Sequence, residues 1–152
     1  MVHERIVTAS SRRQIIIVGP EKLVGALGER GRVPVEVIPL ARGLVAGRLK
    51  ALGLRPELRL AAGVSAGAAS GAAVDATVVP AATAPFVSEN GNLTFDCALP
   101  APLVDGRAAR ELEAAILAIP GVVDTGLFLG TAQQVLVGHP DGRVDILTRV
   151  GA

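Results

Sequence analysis

The chain has 152 residues, half of them hydrophobic, and a formal net charge of +1 from 15 basic and 14 acidic side chains. So even a balance excludes a nucleic-acid or membrane surface driven by charge, and an aromatic share of 2% leaves no platform on which bases would stack. The single cysteine, Cys97, has no internal disulfide partner, no apolar run reaches the roughly 18 residues of a membrane span, and no leader pattern is visible, so a cytoplasmic chain is expected.

Residues 4–12 have the mixed pattern of a helix tail. Gln14 to Gly19, QIIIVG, is a continuous apolar run ending at Gly-Pro, which suits a strand buried on both faces of a parallel sheet. Pro20 then opens a helix or turn. Residues 33–39, VPVEVIP, are β-branched and bounded by prolines. They read as a strand, with Pro34 placing it at a sheet edge or Pro34 among its first residues. Leu40, Leu44, Val45, Leu49 and Leu52 recur at close to helical spacing, and Gly53 is a plausible stop. PELRL at 56–60 alternates weakly and reads as a strand.

Residues 61–85 are dominated by Ala, Gly, Ser and Thr, with Asp75 as the one charge. So little large apolar surface predicts a flexible insertion, with a small-residue packing segment as the alternative. Glu89-Asn90-Gly91-Asn92 is a turn signal. Leu93, Phe95, Cys97 and Leu99 alternate with Thr94, Asp96 and Ala98, as in a strand with one buried face. Asp105 is a candidate N-cap for a helix with the apolar stripe Ala108, Leu112, Ala115, Ile116 and Ile119. Ile119-Pro120-Gly121 stops that helix, and VVDTGLFLG at 122–130 is the next strand. A Pro-Asp-Gly turn joins Val135–Val137 to Val144–Leu147 as a hairpin.

From residue 33 to 130 the order is strand, helix, strand, strand, helix, strand, the split βαβ pattern. Strand 14–19 and hairpin 135–147 need a second sheet. The expected fold class is therefore α/β, in which a remnant of a Rossmann-like parallel sheet domain (1–32 and 135–152) carries an inserted ferredoxin-like α+β (βαββαβ) domain (33–134).

Local motifs for chemistry are sparse. His3 and His139 are far apart and Cys97 has no ligand at metal spacing. No glycine-rich phosphate or dinucleotide loop occurs, Ser10-Ser11 has no base beside it, and Cys97 on an apolar strand face reads as an inert buried thiol. Lys22 follows the carboxyl end of strand 14–19, where open α/β sheets bind ligands, and is a candidate for an anionic group.

Five stretches in order, VPVEVIPLARGLV, RPELRL, VSENGNLTFDC, LEAAILAIPGVVDTGLFLG and VLVGHPDG, resemble the A-type ribose-5-phosphate isomerases. The resemblance covers nearly everything except 61–85. It implies an aldose–ketose isomerase that interconverts ribose 5-phosphate and ribulose 5-phosphate through an enediol, in the pentose phosphate pathway, with no metal or organic cofactor. In the family a T-R-E-K segment carries the general base, and Glu4 in Val2-His3-Glu4-Arg5-Ile6 matches it. A substrate-binding lysine stands eighteen residues later, where this sequence has Lys22. Gly19-Pro20-Glu21 depart from the family's usual Asp and Ser beside that lysine. The family's T-G-S-T, D-G-A-D-E and K-G-G-G-A-A-L segments do not occur in these residues. The resemblance therefore implies the C-terminal part of an isomerase, starting at the catalytic glutamate segment. Its expected partners are a sugar phosphate and either a second copy or a complementary half-chain. Alternatives are one half of a split isomerase, a non-catalytic assembly or binding module, and an inactive structural remnant.

Overall fold

A computed structural model of the chain describes residues 1–61 and 84–149. Most of the expected insertion at 61–85 lies outside the described residues. Its ends approach each other: Leu60 bridges Pro85, and the Ala61 N–H donates to the Ala84 carbonyl at 2.9 Å.

The elements run α1 (Val2–Ser10), β1 (Ile15–Val18), β2 (Val33–Val37), α2 (Arg42–Ala51), β3 (Arg55–Leu58), β4 (Leu93–Ala98), α3 (Gly106–Leu117), β5 (Val122–Thr125), β6 (Gln134–Gly138) and β7 (Val144–Thr148). The strands form two sheets. One has four strands in the order β3-β4-β2-β5, the other three in the order β1-β6-β7. The fold is mixed α/β, and the strand–helix–strand–strand–helix–strand order expected over 33–130 is the observed one.

β2 lies inside the four-stranded sheet, antiparallel to both β4 and β5. The edge position that Pro34 allowed is thus excluded. Pro34 is instead the second residue of a central strand, where its missing N–H interrupts the ladder only at its start. Its carbonyl accepts from the Gly126 N–H at 2.8 Å.

The core belongs to this layer. Val33, Val35 and Val37 of β2 and Leu93, Phe95 and Cys97 of β4 form one cluster with Val45 and Leu49 of α2 and Ile116 of α3, and Leu112 packs against it. Alternation in the strands and 3.6-residue spacing in the helices aim these side chains at one another. The Asp105 side chain caps α3 by accepting from the Arg107 N–H at 2.9 Å. Gly121 adopts a φ of 92°, and a Cβ there would collide with Ala41, so the close approach of β5 to the start of α2 requires glycine.

In the second sheet β1 pairs parallel to β6, and β6 pairs antiparallel to β7 across the turn at Gly142. The expectation of a β1 buried on both faces is corrected here. β1 is an edge strand, with Ile15 and Ile17 exposed and Ile16 and Val18 half-buried. Among the described residues, β1 lies at the rim of a three-stranded sheet and has no strand on its outer side.

Candidate active site

Alternation along β2 turns Val33, Val35 and Val37 to the core and Glu36 to the opposite face of the sheet. There the register sets Glu36 beside Thr94 of β4 and Asp124 of β5. All three are buried. Two buried carboxylates side by side are tolerated only if each has its own donors, and each does.

Glu36 Oε1 accepts from Ser88 Oγ at 2.9 Å, Asn92 Nδ2 at 3.0 Å and Asn90 Nδ2 at 3.3 Å. Burial pushes this carboxyl up, but the hydrogen bonds from Asn92, Ser88 and Asn90 outweigh it and hold it below its ordinary value of 4.5. Glu36 is therefore a fixed acceptor at neutral pH. It pins the turn 88–92, in which Gly91 has a φ of 76°.

Asp124 Oδ1 accepts from Arg5 Nε at 2.5 Å. Arg5 also donates to the carbonyls of Thr125 at 2.8 Å and Leu127 at 2.9 Å, lies 3.3 Å from Glu113, and stacks 4.7 Å over the Phe128 ring. α1 buries no residue of its own, so Arg5 fastens it to the sheet. One row along, Arg59 grips Asp96 with two hydrogen bonds, at 2.9 and 2.5 Å, and lies 5.6 Å over Phe86.

These contacts build the walls of a cleft of about 260 Å³. Met1, His3 and Glu4 of α1 line it on one side, and Arg59, Phe86 and Ser88–Asn90 on the other, with Glu36 and Thr94 contributed by the sheet. The Glu4 side chain is 71% exposed, and its carboxylate lies 2.8 Å from the Met1 ammonium. His3 Nδ1 is 3.0 Å from Glu89 across the cleft mouth. The arrangement sets an accessible carboxylate, paired with the Met1 ammonium, against a polar wall.

Of the two residues singled out in the sequence, the structure brings Glu4 to this cleft and not Lys22. Lys22 is exposed on the 3-10 turn Pro20–Lys22 that follows β1, and the Glu21 carboxylate folds back over Gly19 beside it. Cys97 is fully buried, and burial, aided by Asp96, pushes its thiol up to about 12. It is an inert core residue, as expected. His139 is taken up in the β6–β7 hairpin, with Nε2 2.8 Å from Asp145. The sequence reading assigned no role to Glu36, Arg59 or the Ser88–Asn92 turn. Their signal lay in the ordered motifs: the glutamate of VPVEV bonds SENGN, and the second arginine of RPELR bonds the aspartate of LTFDC.

The family model of ribose 5-phosphate isomerase A (phosphoriboisomerase A) matches residues 1–142. Ribose-5-phosphate isomerase A of Roseiflexus sp. (strain RS-1) is 40% identical over 146 residues, which cover 96% of this chain and 53% of that protein. The enzyme of Deinococcus radiodurans is 38% identical over 158 residues, covering 98% of this chain and 55% of its own. Among solved structures, the ribose 5-phosphate isomerase of Methanocaldococcus jannaschii superposes with a TM-score of 0.72 at 33% identity, over 96% of this chain and 54% of that one. A D-ribose-5-phosphate isomerase in complex with phospho-erythronic acid does so with a TM-score of 0.76 at 29% identity, over 97% and 55%. The chain spans about half the length of the curated relatives it matches. It belongs to the ribose 5-phosphate isomerase A family.

Proposed function

We propose that this member of the ribose 5-phosphate isomerase A family supplies the general-base part of an aldose–ketose isomerase acting in the cytoplasm on ribose 5-phosphate and ribulose 5-phosphate. Glu4 is the base. Its carboxylate takes the proton from the carbon beside the sugar carbonyl, and the C–H electron pair becomes the C=C bond of an enediol. The carbonyl oxygen gains a proton to match the one given up by the adjacent hydroxyl, whose oxygen becomes the new carbonyl, and Glu4 returns its proton to the former carbonyl carbon. Lys22, just beyond the carboxyl end of β1 and outside the Glu4 cleft, is assigned the anionic phosphate by the same reading, in the enzyme completed by further polypeptide. Residues 1–32 and 135–152 form the catalytic, Rossmann-like part, and 33–134 the ferredoxin-like part. The groups that polarise the carbonyl come from further polypeptide, either a complementary half-chain or a longer form of this one.

The observation that carries the reading is Glu4 itself, an accessible carboxylate on a helix tied down by Arg5, lining a polar cleft. The test is an isomerase assay of the 152-residue chain alone and with the remainder of a related enzyme. The chain alone is expected to turn over poorly, because proximity and charge stabilisation are incomplete. In the completed enzyme Glu4→Gln should lower kcat by ~10²- to 10⁴-fold. Full activity in that variant would remove Glu4 from its role, and a turnover near ~10 per second from the chain alone would show that nothing further is needed.

A further inference from the structure

The floor of the Glu4 cleft comes from the four-stranded sheet. Glu36 of β2 and Thr94 of β4 stand directly opposite each other in the register. Alternation turns both to the face away from the core. Both line the cleft, although only 1% of Glu36 and 2% of Thr94 is exposed. Cross-strand partners of this kind hold their Cβ atoms ~5 Å apart.

The two side chains offer complementary groups. Among the described residues, the hydrogen bonds to the Glu36 side chain all end on Oε1, where Ser88, Asn90 and Asn92 converge. Oε2 receives none of them. The three donors keep the carboxylate ionised and fix its direction, so Oε2 is a preset anionic acceptor. The Thr94 hydroxyl beside it both donates and accepts. An anionic acceptor next to a hydroxyl matches two neighbouring hydroxyls of one ligand. A hydroxyl donating to a carboxylate makes a short, charge-assisted bond. A ligand without that hydroxyl leaves the buried charge unmet, and a site built this way rejects it.

The charges around the cleft oppose a phosphate there. Glu4, Glu36 and Glu89 bring three carboxylates to it. Its cations are already engaged, Arg59 by Asp96 at 2.9 and 2.5 Å and the Met1 ammonium by Glu4 at 2.8 Å. Lys22 is not among the residues that line it. A dianion entering the cleft meets like charge, whereas an uncharged hydroxylated chain does not.

We propose that Glu36 and Thr94 form a hydroxyl-binding subsite on the floor of the Glu4 cleft, which takes two neighbouring hydroxyls of an open-chain sugar or polyol and excludes a phosphate. Glu36 Oε2 accepts from one hydroxyl, and Thr94 bonds the next. Glu36 is thus a specificity-determining residue, and Ser88, Asn90 and Asn92 are positioning residues that act through it. That the ligand is a sugar rests on the isomerase reading. That the floor takes hydroxyls rests on Glu36 and Thr94 themselves.

The probes are ribitol, the pentanediol that keeps only the two end hydroxyls, and inorganic phosphate. Each is titrated into the isotopically labelled 152-residue chain and followed by NMR. Ribitol should shift the Glu36 carboxyl carbon and the Thr94 amide saturably, whereas the pentanediol and phosphate leave both in place. Glu36→Gln keeps an acceptor for Ser88, Asn90 and Asn92 but puts a donor where Oε2 stood, and should weaken ribitol binding by ~10-fold or more. Thr94→Val keeps the shape without the hydroxyl and should weaken it by ~3-fold. Glu111→Gln, at an exposed carboxylate of α3 that does not line the cleft, is the control and should bind normally. The carboxyl shift is read in the wild-type chain, so it decides the question even where Glu36→Gln fails to fold. No saturable shift with ribitol overturns the proposal, and so does an equal response to the pentanediol. Phosphate moving the same resonances would make the floor an anion site and overturn it equally, as would ribitol binding indifferent to both substitutions. Glu36-dependent ribitol binding beside a fully active Glu4→Gln in the completed enzyme sinks the isomerase base and leaves the subsite standing. Loss of activity in Glu4→Gln with no ribitol binding does the reverse.

Discussion

Glu36→Ala would leave three donors, on Ser88, Asn90 and Asn92, aimed at an empty site inside the sheet. Losing hydrogen bonds to a buried charge should cost about 2–3 kcal/mol, read from urea unfolding at pH 7. The wild-type pH dependence follows from the direction of the shift. The folded state holds this carboxyl below 4.5, so between the folded and unfolded values the unfolded chain binds the extra proton. Glu36 thus adds stability above about pH 4.5, lost as pH falls through the folded value, and that component should vanish in Glu36→Gln. A Glu36→Gln chain with an unchanged acid limb would show that other carboxylates set it. At the same scale, Cys97 should resist thiol reagents at pH 7.5 until the chain is unfolded, since its thiol titrates at about 12 behind a closed core. Modification at a free-cysteine rate in the native state would contradict its placement. Such residues differ in how far the sequence exposes them. Cys97 was legible because one-faced alternation places it inward. Glu36 was not, because its partners come more than fifty residues later in the chain and no local spacing announces the pairing. The proposed role of Glu4 came only from resemblance, since a lone surface charge has no local signature of a role, whereas Lys22 was singled out by its place after a strand.

At the scale of elements, α1 is the informative case. It buries none of its own residues, yet its Arg5 reaches Asp124, Glu113, two carbonyls and the Phe128 ring. That side chain ties α1, which carries Glu4, to the sheet. Arg5→Met should expose α1 to proteolysis and, by leaving Asp124 buried without its cation, cost about 3 kcal/mol. Adding Asp124→Asn should recover part of that stability without restoring α1 to protease protection. A double variant no more stable than Arg5→Met would mean that the buried charge was not the source of the loss. The helices and strands of 33–130 were legible because their apolar periods of 3.6 and 2 are satisfied within that stretch: Val45 and Leu49 meet Val35 and Phe95 in one cluster. β1 was misjudged for the same reason in reverse. Its composition encodes burial on two faces, whereas the described chain supplies neighbours on one side only. Pro34 was half legible, because proline limits where a strand begins but does not reveal how many strands flank it.

The whole molecule divides its stabilising contacts unevenly. The buried cluster draws every member from residues 33 to 127, whereas β1, β6 and β7 together bury one aliphatic residue, Val137. Burial of a large aliphatic side chain contributes about 1.5–3 kcal/mol, so the four-stranded layer holds most of the apolar stabilisation and the three-stranded sheet little beyond its hydrogen bonds. A small sheet gains independent stability from packing an apolar face, and among the described residues this one buries little. The chain alone should therefore open in two stages. Amides of β1, β6 and β7 should exchange through local opening, while those of β2 and β4 exchange only with unfolding of the layer. Leu49→Ala separates the two, because Leu49 is fully buried against β2 and β4 in the cluster. It should destabilise the four-stranded layer by about 2–5 kcal/mol and leave β6–β7 exchange rates unchanged. Equal acceleration at β2 and β6 would show one cooperative unit, and the two sheets would then share a stability that the buried contacts do not provide.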